Sequence, residues 1–301
     1  QSRSEVVVSV SGLVHRFDDG STLDYGPADL TICAGETVAI VGPNGSGKST
    51  LLGHVLGLDV PYSGLVTALG VPAHTLDSRR RQAVVGILQH PDDQVFGPSV
   101  RDDVAYGPSN WGGDRRTVAE MVDRALGRFG LSDKADKIAH ALSSGERRRV
   151  ALAAAFVGWS ADAPERVRLV VMDEPFEALD LWADAALRDL LTEIRHAGRT
   201  AVVFTTHDLE SVPARADRLI VLGPGGRVVA DGNPLEILGS PGAIGGVNVT
   251  GGIDVPDELE LRRPALMRLR DALAREGIVV DPTVDPDEMA RQLAAIVSAR
   301  S

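Results

Sequence analysis

Cysteine is nearly missing from this chain. Cys33 stands alone among 301 residues, which excludes an intrachain disulfide and fits a reducing compartment. Long hydrophobic runs are missing too. No stretch reaches the roughly 20 apolar residues that a membrane-spanning helix needs, and no signal-peptide pattern is present. Positive charge is in deficit, with 31 Lys and Arg against 42 Asp and Glu and a formal net charge of −11. That balance works against free association with nucleic acid or anionic lipid. No nucleic-acid partner is expected, and work at a membrane requires a protein partner to hold the chain there. The two local basic clusters, Arg79-Arg80-Arg81 and Arg147-Arg148-Arg149, read as solvated helix faces. The start at Gln1-Ser2-Arg3-Ser4 carries no methionine and reads as a trimmed or appended terminus.

What is present is ordinary for a soluble globular protein: 44% hydrophobic and 24% charged residues, enough for one large core with a small appendage. Short β-branched apolar runs recur at Val6–Val10, Val38–Val41, Val84–Leu88, Leu169–Met172, Ala201–Thr205 and Leu219–Leu222. Helical stretches separate several of them, which predicts an α/β fold with parallel strands. The opening up to about Thr37 and the segment Arg227–Ala230 read as extra strands beside that sheet. From about 99 to 159 the pattern changes. Ala119–Phe129 and Glu146–Val157 have helical spacing with no strand between them, a helical insert. Residues 1–240 thus form one domain, and 241–301 a Gly-rich linker with a short helical extension. In that extension Pro264–Arg275 aligns Leu266, Leu269 and Leu273. A second helix has Asp285 to cap it, Pro286 at its first position and Glu288 at the capping-box position. Its stripe of Met289, Leu293 and Ile296 reads as packing against its own domain.

The most informative segment is Gly42-Pro43-Asn44-Gly45-Ser46-Gly47-Lys48-Ser49-Thr50. It follows an apolar strand and precedes a helix, the context a phosphate-binding P-loop requires. Its glycines let backbone N–H groups turn inward around phosphates, and the new helix adds its positive dipole end. Lys48 supplies a point charge to the β- and γ-phosphates, and Ser49 a hydroxyl to Mg²⁺. The strand Leu169–Met172 then ends in Asp173-Glu174. Asp173 is placed to reach Mg²⁺, and Glu174 to polarise an attacking water. Leu142-Ser143-Ser144-Gly145-Glu146 is a serine-glycine turn opening a helix. Taken alone it reads as an N-cap by Ser143 or Ser144 with Glu146 nearby; such a turn can also present amides and a hydroxyl to a phosphate.

The order of these motifs, with Gln89, Ala178-Leu179-Asp180 and Thr206-His207-Asp208, resembles the ATP-binding-cassette ATPases over about Val6 to Gly239. The resemblance implies a P-loop NTPase parallel-sheet core with an N-terminal antiparallel β-subdomain and an inserted α-helical subdomain. It implies ATP and Mg²⁺ as cofactors, and a dimer of cassettes in which each P-loop faces the other chain's Leu142–Glu146 signature. Phe17 then resembles the aromatic that stacks on adenine. Gln89 resembles the residue sensing Mg²⁺ and the attacking water, His207 the γ-phosphate switch, and Asp180 the loop crossing the dimer interface. Gln89-His90-Pro91-Asp92-Asp93-Gln94-Val95-Phe96-Gly97-Pro98-Ser99-Val100, followed by Asp103–Pro108, is similar to the ATPases of energy-coupling-factor importers of vitamins or transition-metal ions. That likeness implies a location at the cytoplasmic face of the cell membrane. It also implies a transmembrane coupling subunit, a separate substrate-binding membrane component, and a second cassette that is a copy or a relative of this chain. A soluble cassette ATPase of non-transport function and a nucleotide-switched regulator with weak hydrolysis are the alternatives. The absence of a long coiled-coil insertion between Lys48 and Leu142 speaks against the first, and Glu174 with His207 against the second.

Three positions depart from the family pattern. Ser144 stands where glycine is normal, Glu146 where glutamine is usual, and Phe176 where threonine is more frequent. An added hydroxymethyl at 144 is expected to crowd an approaching γ-phosphate. Glu146 is expected to add negative charge there unless it points away.

Overall fold

Strand alternation organises the chain into two sheets. The computed structural model describes residues 5–26, 29–89, 94–177, 179–239, 265–275, 278–281 and 285–300. Among these the strands are β1 (Val6–Arg16), β2 (Thr22–Asp24), β3 (Leu30–Cys33), β4 (Thr37–Val41), β5 (Ser63–Ala68), β6 (Val71–Pro72), β7 (Val84–Ile87), β8 (Leu169–Met172), β9 (Ala201–Thr205), β10 (Arg218–Leu222) and β11 (Val228–Gly232). The helices are α1 (Lys48–Leu56), α2 (Ser78–Arg81), α3 (Val100–Asn110), α4 (Arg115–Arg128), α5 (Ser144–Phe156), α6 (Leu181–Ala197), α7 (Val212–Arg215), α8 (Pro234–Gly239), α9 (Ala265–Arg275) and α10 (Pro286–Arg300).

The first sheet is antiparallel, in the order β2-β1-β5-β6 with β3 also on β1. β5 is the strand the sequence hides. Only Val66 and Ala68 of its six residues are buried, so its apolar run is too short to stand out. The second sheet has the order β11-β10-β4-β9-β8-β7, parallel throughout except for the β10–β11 pair. Its central strands are apolar on both faces because both are covered. Val38 and Ile40 face the antiparallel sheet and α1, joined by Leu169 and Val171 of β8. Ala39 and Val41, with Val170 and Met172, face the core shared with α3, α4, α5 and α6.

Between Val100 and Phe156 the structure has helices and no strand, with α4 and α5 close to their expected bounds. α3 is an addition. Gly107 and Pro108 obscure it in the sequence; Pro108 sits in its last turn, where its ring forgoes one i→i−4 hydrogen bond and the helix ends two residues later. The extension helices are present as α9 and α10, and Asp285 Oδ1 accepts from the amides of Asp287 and Glu288. Glu288 turns its carboxylate to Arg291 and Gln292. Met289 is buried and Leu293 and Ile296 are half-buried. The expected linker, Pro264, residues 90–93 and Ala178 lie outside the described residues.

Candidate functional site

Strand order brings the predicted residues together. The P-loop leaves β4, Thr206-His207 leave β9, Asp173-Glu174 leave β8, and Gln89 follows β7. Those four strands are consecutive neighbours in the parallel sheet, and its carboxyl edge is where open α/β sheets bind ligands. A cavity of about 340 Å³ opens there, lined by Phe17, Leu23, Asn44, Gly45, Gly47, Lys48, Ser49, Thr50, Gln89, Asp173, Glu174 and His207. Of the predicted nucleotide residues, Gly42 and Ser46 lie outside this lining. The Gly42 carbonyl accepts from Lys48 Nζ at 2.9 Å, and Ser46 is buried, its Oγ without a hydrogen-bond partner.

α1 begins at Lys48 on Gly47, whose φ of 91° is left-handed. A Cβ there would lie 2.8 Å from Tyr25 Oη and 2.9 Å from Leu23 Cδ1, so only glycine fits. No side chain caps this helix start, which leaves amide donors facing the cavity for an anion. Lys48 Nζ donates to the carbonyls of Gly42 and Pro43 at 2.9 and 3.1 Å, leaving one of its three donors for a ligand. Burial lowers its pKa, and Glu174 and Asp173 oppose that shift.

Glu174 holds the site's strain. Its φ is 47°, a left-handed conformation costing about 1–2 kcal/mol for a residue with a Cβ. Thr205 fastens it there: its hydroxyl donates to Asp173 Oδ1 at 2.5 Å and accepts the Glu174 amide at 2.9 Å. Sequence reasoning missed this part of Thr205, which reads only as the end of an apolar strand. It also missed Leu23, whose contact with Gly47 depends on β2 folding over the loop. His207 Nε2 lies 3.0 Å from Glu174 Oε1, but not in an aligned hydrogen bond, so that oxygen is left without a donor. Burial and the neighbouring Lys48 lower the His207 pKa. Burial, then the Asp173 carboxylate, push Glu174 up to about 7, against the pull of Lys48.

A carboxyl raised in this way binds its proton more tightly folded than unfolded. Its contribution to stability is full below the ordinary value of 4.5 and is lost as the pH rises through about 7. Without nucleotide or Mg²⁺, Glu174→Gln is therefore expected to raise Tm over the parent, the gap opening from pH 5 to 7.5 and then levelling. Thermal scans across that range check this; a gap independent of pH would contradict it.

Among the described residues no cluster of three or more His, Cys, Asp or Glu could cage a metal. Ser49, Gln89 and Asp173 instead offer a hydroxyl, an amide and a carboxylate to one cavity. Such a sparse oxygen set fits Mg²⁺, which keeps waters and shares its shell with substrate phosphates.

The ABC transporter family profile matches residues 25–177. The chain belongs to this family. The cobalt import ATP-binding protein CbiO of Rhodobacter capsulatus is 39% identical over 90% of this chain and 96% of its own. The energy-coupling factor transporter ATP-binding protein EcfA of Methanoculleus marisnigri is 36% identical over 81% of each chain. Among solved structures, cbiO1 of Clostridium perfringens, part of the cbiONQ complex, covers 89% of this chain and 99% of its own at TM-score 0.65 and 29% identity.

In this ABC ATPase the turn Leu142–Glu146 lies outside the lining of the P-loop cavity. Ser143 caps α5, its Oγ accepting from the Glu146 amide at 3.3 Å, and Glu146 closes a full capping box. The Glu146 carboxylate is engaged within the turn and with Lys134, the exception that the sequence reading allowed. Its Oε2 accepts from Ser143 N and Oγ at 2.8 and 2.9 Å, and Lys134 Nζ lies 2.5 Å from Oε1. Lys134 first, then Ser143, hold its pKa down at about 2. The reading of Arg147–Arg149 as a solvated face is corrected. Arg147 donates to the Leu142 carbonyl at 2.6 Å. Arg149 is 15% exposed, 3.5 Å from Asp180 and over the Trp182 ring. Asp180 also caps α6, accepting from the Ala183 amide at 2.7 Å, so Arg149 links the signature helix to the Asp180 loop. Phe176 gains an account as well. Its ring packs edge-on against Phe204, and the Arg215 guanidinium stacks 4.0 Å above it, contacts a threonine could not make.

Proposed function

We propose that this chain is the ATP-hydrolysing subunit of an energy-coupling-factor-type importer, peripheral at the cytoplasmic membrane face. On this reading it powers uptake of a transition-metal ion or vitamin through a membrane partner. The observation that carries the reading is the meeting of Lys48, Gln89, Glu174 and His207 in one cavity, beside an apolar rim. That rim exposes Leu88, Phe96 and Tyr106, the last two in edge-to-face contact at 4.8 Å. Buried Asp103 braces it by accepting the amides of Phe96 and Gly97 at 2.8 and 2.6 Å. Next to it a cleft of about 400 Å³ runs past Leu52, Leu56, Leu88, Gln89 and Gln94, a seat for a helix of the coupling subunit.

The chemistry follows from the residues. Phe17 stacks on the adenine, and the P-loop amides with Lys48 hold the β- and γ-phosphates. Ser49, Asp173 and Gln89 would hold Mg²⁺, which when bound would supply charge neutralisation at the phosphates. Glu174, poised near neutrality by its burial, takes a proton as water attacks the γ-phosphorus in line and the bond to ADP breaks. His207 meets the γ-phosphate and, with Glu174, holds the attacking water. Leu142–Glu146 acts on the nucleotide of a second ATPase subunit and the Asp180 loop crosses the interface between them, so closure of the dimer is the power stroke passed through the Gln89 region.

The test is affinity capture of the chain from detergent-solubilised membranes of its source, with ATPase activity measured against protein concentration. A polytopic membrane protein should co-purify, and turnover should rise faster than linearly with concentration. Only soluble companions, under conditions that preserve membrane complexes, would overturn the transport reading. A strictly linear dependence would overturn the dimeric site.

A further inference from the structure

Behind the cavity, three rings run from its edge to the helix that follows the P-loop. His15 is the penultimate residue of β1 and Phe17 follows directly after the strand's last residue, Arg16. Their ring centroids are 4.5 Å apart in an edge-to-face arrangement. His15 Nδ1 in turn lies 3.0 Å from Nε2 of His54, the rings 5.1 Å apart and again edge-on. His54 is fully buried in α1, one turn beyond the cavity residue Thr50 and on its face of the helix. Its Nδ1 has no partner in hydrogen-bond geometry, although the Asp59 backbone is near enough to act on the ring, so the link to His15 is the one well-formed hydrogen bond of this side chain.

A bond between two imidazole nitrogens needs one ring as donor and the other as acceptor, which doubly charged rings cannot provide. Burial, with His15 adding to it against Asp59, lowers the His54 pKa. A fully buried polar ring in a helix otherwise packed with leucine and valine is costly unless its bond is made. A leucine would fill the same position at no such cost.

We propose that His15 and His54 are positioning residues for the nucleotide base, tying the Phe17 ring to α1 so that the base platform and the phosphate loop move as one body. This rests on the reading of Phe17 as the adenine-stacking residue. Without the tie, Phe17 stands on a short turn held by its backbone bonds to Ser21 and Gly20 and is 39% exposed. A platform free to reorient loses stacking affinity without losing phosphate affinity.

The experiment measures Kd for ATP and for inorganic triphosphate, with Mg²⁺, on the full chain. Phe17→Ala should weaken ATP about tenfold, the order of a base–aromatic stack, and leave triphosphate unchanged. His54→Leu should weaken ATP about three- to tenfold, the order of one hydrogen bond, again sparing triphosphate. His54→Gln, whose amide can both donate and accept, should restore most of the loss. Combined with Phe17→Ala, His54→Leu should add nothing. His15→Ala, at a half-buried strand position, gives the same readout should His54→Leu not fold. If Phe17→Ala leaves ATP binding intact, the stacking reading fails and the inference goes with it. If Phe17→Ala weakens ATP but the histidine variants do not, or they weaken triphosphate equally, or the double variant is additive, the positioning role alone fails.

Discussion

Glu174→Gln is expected to lower ATP turnover by about 10²- to 10⁴-fold, the span of a general base, while ATP affinity stays within about threefold. The change is nearly isosteric. The backbone bond from residue 174 to Thr205 does not involve the side chain, so the strained turn and the adjacent Asp173 contact persist. What disappears is the proton acceptor whose burial and carboxylate neighbour hold it near pH 7. Lys48, opposing that shift, should bind phosphates as well or better with one negative charge fewer beside it. Single-turnover hydrolysis together with equilibrium binding checks both halves. Turnover near the parent rate would remove Glu174 from the chemistry.

Lys48→Ala should fail at the other stage. ATP affinity is expected to fall about 100-fold or more, with turnover lost alongside it. The ammonium is the cation that faces Asp173 and Glu174, and its removal leaves the Gly42 and Pro43 carbonyls short of a donor. A phosphate arriving then meets two carboxylates with no point charge to offset them. Lys48→Arg should recover little, because a planar fork cannot reproduce two carbonyl bonds and a third donor from one nitrogen. Calorimetric titration with Mg-ATP reads this directly, and a Kd within a few fold of the parent would contradict it. The two variants thus separate binding from chemistry.

The site was legible largely because its chemistry sits in contiguous motifs at strand ends. Lys48, Asp173, Glu174 and His207 each follow an apolar run, and a parallel sheet puts such ends on one edge. Less visible was whatever depends on contacts between distant segments. Thr205 looks like any strand residue until β9 lies beside β8. Arg149 reads as surface charge until α6 brings Asp180 and Trp182 to it. His54 falls in a run of leucines, and only the crossing of β1 over α1 gives it His15. β5 escaped because Val66 and Ala68 are too few to form a pattern. The parallel strands, by contrast, stand out as unbroken apolar runs, and the helices α4 and α5 are long enough for helical spacing to speak.

The Lys134–Glu146–Ser143 arrangement gives the signature turn an unusual thermodynamic character. The start of α5 already has a resident anion. The Ser143 amide and hydroxyl are given to the chain's own carboxylate, which a lysine also neutralises, and the Glu146 amide returns to Ser143 Oγ. The carboxylate's charge is thus balanced inside the turn. An anion arriving from outside gains only what the first amides of the helix and its dipole give it, and Glu146 neither adds to that gain nor has to leave.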